Sequence, residues 1–223
     1  MFFEKKKFNS SLKKELFISV KIERTIIKSI DKNGDCKICL SGGSSPQNTL
    51  IQLSKSDKID WSKVIFFLTD ERVTALNSNQ SNYGNLKSIF KNTPVIIEPF
   101  YNGVNLNKSI ISYQRHIKKY LLNEDDHFDL LILGFGEDGH IASLFPEDKK
   151  SPQRQEDVFY VNKIVNGYDR LSLSMKRLKK SKQTIMISYG ETKYDLIENR
   201  KGFNYPILEF LRNQENVSWF YSI

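Results

Sequence analysis

Short, nearly continuous apolar runs punctuate the chain. Val64–Leu68 and Leu130–Leu133 contain no polar residue, and residues 36–40 and 184–187 come close. Runs of this length predict strands buried on both faces, as in a parallel sheet covered by helices. Residues 158–161, 171–173 and 217–220 predict further short strands, and 95–97 one more. Between them the apolar positions take helical spacing. Residues 10–30 place Leu12, Leu16, Val20, Ile27 and Ile30 at such intervals, and Asn33-Gly34-Asp35 ends that helix. Ser45 is the expected cap, and Pro46 the expected start, of a helix running through Leu50 and Leu53. Helices are also predicted near 82–90, over 108–122, as one turn or more at 175–180, and over 191–198 and 206–212.

Strand-helix alternation with doubly buried strands predicts an α/β fold, a mostly parallel, open, Rossmann-like sheet with helices on both faces. No linker, repeat or low-complexity break interrupts it, so residues 1–223 read as a single domain. Residues 74–81 read as a polar loop.

Composition narrows the classes. A chain of 223 residues with 39% hydrophobic positions has ample material for a packed core. Its 15 Phe and 10 Tyr argue against disorder. No run approaches the ~20 apolar residues of a membrane span. Met1-Phe2-Phe3 is followed at once by Glu4-Lys5-Lys6-Lys7, with no apolar stretch of a secretory signal, so a cytoplasmic location is expected. Lys and Arg total 34 against 26 Asp and Glu, a net charge of +8. The lysines are scattered, which fits a solvated surface; the alternative is attraction of an anionic partner. No zinc finger or RNP-like pattern appears, so nucleic acid is not expected. A small phosphorylated substrate would need only one or two well-placed cations. Cys36 and Cys39 form a C-x-x-C inside a predicted strand, where residues three apart face opposite ways. That reads as a structural pair in a reducing compartment, not a redox or zinc motif. Metal-ligand spacings such as H-E-x-x-H are missing, so no metal and no cofactor are expected.

Three polar clusters directly follow predicted strands, and open α/β sheets bind ligands beyond the carboxyl ends of their strands. Residues 41–45, Ser-Gly-Gly-Ser-Ser, form a glycine-rich turn opening a helix, suited to an anion. A tight turn with a serine cap accounts for the same residues. Residues 69–72, Thr-Asp-Glu-Arg, put Asp70 and Arg72 at a strand end, where Arg72 is able to grip a phosphate or carboxylate and Asp70 to orient a base or a hydroxyl. A surface ion-pair cluster is the plainer alternative. Residues 136–140, Gly-Glu-Asp-Gly-His, hold His140, a proton acceptor near neutral pH, with Glu137 or Asp138 available to orient its ring. A turn or core histidine is the alternative there. His116 and His127 lack such a setting and read as surface histidines.

Together the stretches SGGSSP (41–46), LTDERV (68–73), SNYGNL (81–86), LGFGEDGHIASLFP (133–146), RLSLS (170–174), GETKYDLI (190–197) and YPILEFL (205–211) resemble the 6-phosphogluconolactonase family. The string GEDGHIASLFP is the most specific. The related glucosamine-6-phosphate deaminases share the fold and the Asp-Gly-His element, but their pattern continues toward Phe-Asn-Glu-Pro, and they usually place Tyr where Arg72 stands here.

The resemblance implies hydrolysis of 6-phospho-D-glucono-1,5-lactone in the pentose phosphate pathway, without a cofactor. It implies His140 as general base toward water, with Asp70 in the reaction centre and Arg72 on the anionic substrate; Asp138 is counted with the catalytic residues, and whether it or Glu137 supports the ring stays open. Gly42, Gly43 and Ser44 match the phosphate-cradling loop, and Arg170 and Lys193 match later cations that clamp the phosphate. The partner implied is a small phosphorylated sugar lactone, and the chain is expected as a monomer or weak homodimer. The sequence departs from the family at Val73-Thr74-Ala75-Leu76-Asn77, where Pro and His are common, at Gln80, where Asp is usual, and at Met175. The rival readings are an amino-sugar-phosphate deaminase-isomerase, a non-catalytic sugar-phosphate sensor and a nucleic-acid binder.

Overall fold

Seven strands, numbered along the chain, form one parallel sheet. Their order is β1 (Glu4–Lys7), β10 (Val217–Ser222), β9 (Thr184–Tyr189), β6 (Leu130–Leu133), β2 (Cys36–Leu40), β3 (Val64–Leu68) and β5 (Ile96–Ile97). This computed structural model describes residues 3–121, 126–148, 153–162, 167–199 and 204–223. Every residue of β3 and β6 is buried, as their unbroken apolar runs require of strands covered on both faces. Cys36 and Cys39 are free thiols buried in β2, where burial pushes Cys36 up to about 12.

β1 escapes the apolar pattern because its sequence is Glu-Lys-Lys-Lys. Only its backbone is needed to pair with β10, and charged side chains on an edge strand discourage pairing with a further chain. Two predicted strands leave the main sheet. β7 (Val158–Val161) and β8 (Arg170–Leu173) join β4 (Asp70–Arg72) in a separate antiparallel sheet of order β4-β8-β7.

Helix α1 (Ser11–Asn33) starts at Ser10, whose hydroxyl accepts from the Lys13 N–H, and stops at Gly34, at φ +85°. Of the apolar residues that signal this helix, Ile27 and Ile30 pack partly buried against the core and the other three do not. Ile18, Ile22 and Ile26 face the core, while Leu12, Leu16 and Val20 stay about half exposed. The two stripes start two residues out of phase, about 200° around the helix, so periodicity announces a helix without choosing its inner face. α4 (Leu106–Tyr120) carries a second reversal. His116, read as a surface histidine, is buried against Phe67 and Tyr120, with ring centroids 4.7 and 5.1 Å away. Burial lowers its pKa to about 4.

The remaining helices are α2 (Ser44–Leu53), α3 (Asn82–Ile89), α5 (Met175–Lys179), α6 (Glu191–Asn199) and α7 (Pro206–Leu211). From β2 the chain moves outward through β3 and β5. It returns to β6 on the other side of β2 and moves outward again through β9 and β10. The crevice between the carboxyl ends of β2 and β6 is therefore the topological switch point, where open α/β sheets bind ligands.

Candidate active site

A cavity of about 260 Å³ lies at this switch point, and the loops after four parallel strands line it. Ser41 and Gly43 to Ser45 follow β2, Asp70 and Arg72 follow β3, Gly134 to Gly136 and His140 follow β6, and Lys193 follows β9. Arg170 enters from β8. A wider groove of about 880 Å³ runs along α1 at the amino ends of β6 and β9, bordered by Asp129 and Gln183. It contains none of the three polar clusters, so size does not mark the site here.

The serine-glycine turn differs from the expectation. Ser45 is not the cap; α2 begins at Ser44, and its N-cap Gly43 offers no side-chain hydrogen bond. The first turn also lacks an acidic residue. The positive end of α2 is thus left uncompensated where Gly43, Ser44 and Ser45 line the cavity. Gly42 is needed for contact: a Cβ there would fall 2.1 Å from Cγ of Asn82. Asn82 donates its amide N–H to the Asp70 carbonyl at 2.8 Å, tying this turn to the next strand.

Asp70 is 6% exposed. Its Oδ2 accepts from the Ser143 hydroxyl at 2.7 Å and lies 3.6 Å from Nη1 of Arg170. Glu71, its neighbour, points elsewhere. Its carboxylate accepts from the backbone N–H groups of Arg72, Asn82 and Tyr83 and from the Ser81 hydroxyl, so it closes the start of α3. Burial raises the Glu71 pKa against those bonds.

Arg72 and Arg170 are direct cross-strand partners on β4 and β8. Like charges so placed repel, and the repulsion is tolerable only if something anionic sits between or near them. Asp70 supplies one negative charge. The Nε atoms of both arginines are buried without a partner. Arg72 Nη1 donates to the Gln80 carbonyl at 2.8 Å. The divergent 74–81 loop thus holds Arg72 through its backbone, which any residue at 80 supplies. Burial lowers the Arg170 pKa, while the Asp70 charge draws it up.

His140 Nδ1 lies 2.6 Å from Asp138 Oδ1. Of the two acidic residues considered for this task, Asp138 is the one in contact. Burial pushes its pKa up, but the hydrogen bond and charge of His140 outweigh that and hold it below the ordinary aspartate value. Phe145 packs beside the pair, its ring centroid 4.9 Å from that of His140 and 5.6 Å from the Arg170 guanidinium carbon. Lys193 is the third residue of α6 and stands 5.7 Å from the Phe135 ring centroid. Burial lowers its pKa, opposed by Glu137 and Asp138.

All nine residues singled out in the sequence meet here: Gly43, Ser44, Asp70, Arg72, His140, Arg170 and Lys193 line the cavity, while Gly42 and Asp138 support it from behind. Asn82, Ser143, Phe135 and Ala142 were not singled out. Asn82 and Ser143 lie inside the family-like strings, but only the folded contacts give them a task. Ala142 adopts φ +51°, unusual for a side chain with a Cβ, at the cavity wall. Among the described residues no group of three or more His, Cys, Asp or Glu side chains is arranged to hold a metal ion.

A family model described as glucosamine-6-phosphate isomerases/6-phosphogluconolactonase matches residues 14–219. A probable 6-phosphogluconolactonase of Dictyostelium discoideum is 35% identical over 179 residues, covering 77% of this chain and 76% of that protein. The 6-phosphogluconolactonase of Thermotoga maritima is 28% identical over 210 residues, 92% of each chain. A crystal structure of a 6-phosphogluconolactonase from Thermotoga maritima superposes with a TM-score of 0.89 over 100% of both chains at 25% identity. With the match spanning nearly its whole length, the chain belongs to the glucosamine-6-phosphate isomerase/6-phosphogluconolactonase family.

Proposed function

We propose that the chain hydrolyses 6-phospho-D-glucono-1,5-lactone to 6-phospho-D-gluconate, with His140 as the general base. The observation that carries this reading is one cavity with a histidine-carboxylate pair at one side and three cations around it. The relatives named above share the lactonase name. Residues 1–223 act as one sugar-phosphate lactonase domain, in the cytoplasm, as a monomer or weak homodimer. Among the described residues no helix is long and apolar enough to cross a membrane.

An ionised Asp138 is an acceptor only, so it takes the Nδ1–H of His140 and leaves the Nε2 lone pair free. Nε2 removes a proton from water as the water oxygen bonds to the lactone carbonyl carbon. The carbonyl electron pair moves onto oxygen, and cations near that oxygen lower the barrier. Arg72 serves this developing charge, while Asp70 holds Arg170 in place and faces the sugar. When the ring C–O bond breaks, the imidazolium returns its proton to the leaving ring oxygen. The phosphate, remote from the reacting carbon, is gripped by the open start of α2 with Arg170 and Lys193, and this binding energy positions the carbon.

The test is removal of freshly made phosphogluconolactone, corrected for its spontaneous opening. Replacing His140 with Asn is expected to lower kcat by about 10²–10⁴-fold. Unchanged turnover in that variant rules out the base assignment. Release of ammonia from glucosamine 6-phosphate, with no lactone turnover, would replace the whole reading by the deaminase.

A further inference from the structure

A fully buried lysine lies outside the cavity. Lys14, in the first turn of α1, has no solvent exposure. Its Nζ donates to the Ser188 carbonyl at 2.8 Å and the Ser222 hydroxyl at 2.9 Å, at the carboxyl ends of β9 and β10. It also stands 3.1 Å from the Tyr189 ring centroid, a third contact that favours the charged form. Tyr189 donates its hydroxyl to Glu15 Oε1, which also accepts from the Asn48 amide on α2. Gly190, at φ +89°, then turns the chain into α6, and its N–H donates to the Ser222 carbonyl. Three residues later comes Lys193.

An ammonium without solvent and without a direct carboxylate partner is costly. The ordinary structural solution at a strand end is a hydroxyl or an apolar side chain. A lysine here does something those do not: it carries charge to the end of β9, directly before the turn into α6.

We propose that Lys14 is a positioning residue for the anion subsite, pinning the β9–α6 junction that presents Lys193 and adding a second positive charge behind it. The proposal rests on Lys193 facing the substrate phosphate. The groups around Lys14 are Glu15 on α1, Ser188 and Tyr189 on β9, Ser222 on β10 and Lys193 on α6, with Glu15 tied to Asn48 on α2. Burial lowers the Lys14 pKa to about 7, Glu15 draws it up, and the charge of Lys193 lowers it further. A dianion bound at Lys193 offsets that repulsion, so binding draws a proton onto Lys14.

The sign follows. Lys14 is charged below about 7 and neutral above it. Affinity for a phosphate dianion therefore falls as pH rises through that value. The phosphate's own ionisation, near pH 6, acts the other way.

The experiment compares wild type, Lys14→Met and Lys193→Ala, with lactone turnover and calorimetric titration of 6-phosphogluconate and of unphosphorylated gluconate. For Lys14→Met, KM for the phosphorylated lactone is expected to rise about 3–10-fold with kcat within twofold, as a lost nearby charge implies. Its affinity for 6-phosphogluconate no longer declines across pH 7, and gluconate binding is unchanged. A Lys14→Met variant with wild-type KM and wild-type pH dependence, beside a weakened Lys193→Ala, overturns the role of Lys14 alone. Both variants behaving as wild type overturns the phosphate subsite with it. If Lys14→Met does not fold, Lys14→Arg decides, because arginine keeps its charge across pH 7: its affinity for 6-phosphogluconate is expected to lose the decline that the wild type shows there. The same decline in Lys14→Arg as in the wild type overturns the proposal.

Discussion

Asp138 and His140 stand two residues apart with 2.6 Å between Oδ1 and Nδ1. The pair closes on itself across a turn in which the Gly136 N–H donates to the His140 carbonyl, and Gly139 sits at φ +82°. A carboxylate in that position decides which imidazole nitrogen carries the proton. Replacing Asp138 with Asn keeps the shape but weakens that choice. We expect kcat to fall by about 10²–10³-fold with a small change in KM, by the logic of an orienting carboxylate. Steady-state kinetics with matched circular dichroism spectra checks this, and an unaltered kcat refutes the orienting role.

Gly136 and Gly42 separate the chemistry from the binding. A Cβ at Gly136 would lie 2.3 Å from both Asp138 Oδ1 and His140 Nδ1. Gly136→Ala is therefore expected to lower kcat by about tenfold or more, because the reacting groups lose their alignment. A Cβ at Gly42 meets Asn82 instead. Gly42→Ala is expected to raise KM and spare much of kcat. The same response from both variants would refute this division.

Arg170 is buried opposite Arg72 and beside Asp70. Arg170→Ala removes a charge-assisted contact, and KM is expected to rise about 10–100-fold. It also leaves Asp70 without its cation, so kcat falls too. Lys193→Ala, with no such neighbour in contact, is expected to raise KM alone. Binding of unphosphorylated gluconolactone measures how much of each loss belongs to the phosphate.

His116 makes stability pH-dependent. It titrates near 6.5 when unfolded and at about 4 when folded. The unfolded chain thus binds its proton first, and stability declines as pH falls from about 6.5 to about 4. The loss attributable to this one residue is on the order of 3 kcal/mol. Thermal melts across that range are expected to show a shallower acid decline in His116→Phe than in the wild type. Parallel curves would show that other groups carry the acid sensitivity.

Much of the architecture was legible because burial on both faces leaves an unmistakable trace. Val64–Leu68 and Leu130–Leu133 have no polar residue to present to water, and they became the all-buried β3 and β6. β1 was illegible for the opposite reason: an edge strand held by backbone bonds needs no apolar side chains. Leu12, Leu16 and Val20 announced α1 yet lie outside its inner face, because helical spacing carries no information on which side a sheet lies. His116 beside Arg115 resembled a surface residue, but Phe67 from β3 and Tyr120, one turn on in α4, close over it.

By itself the amino-acid order determined the local devices: strands that must be covered, a helix opened by Ser-Gly-Gly-Ser, and a histidine within reach of a carboxylate two residues before it. Neighbouring residues act on each other through short covalent tethers, so such features survive in a linear reading. Only the tertiary structure decided that Arg72 and Arg170 stand side by side, that α2 starts uncapped toward the cavity and that Lys14 reaches the carboxyl ends of β9 and β10. Those relationships depend on sheet order and register, which arise from packing among distant segments and are written in no single stretch of chain.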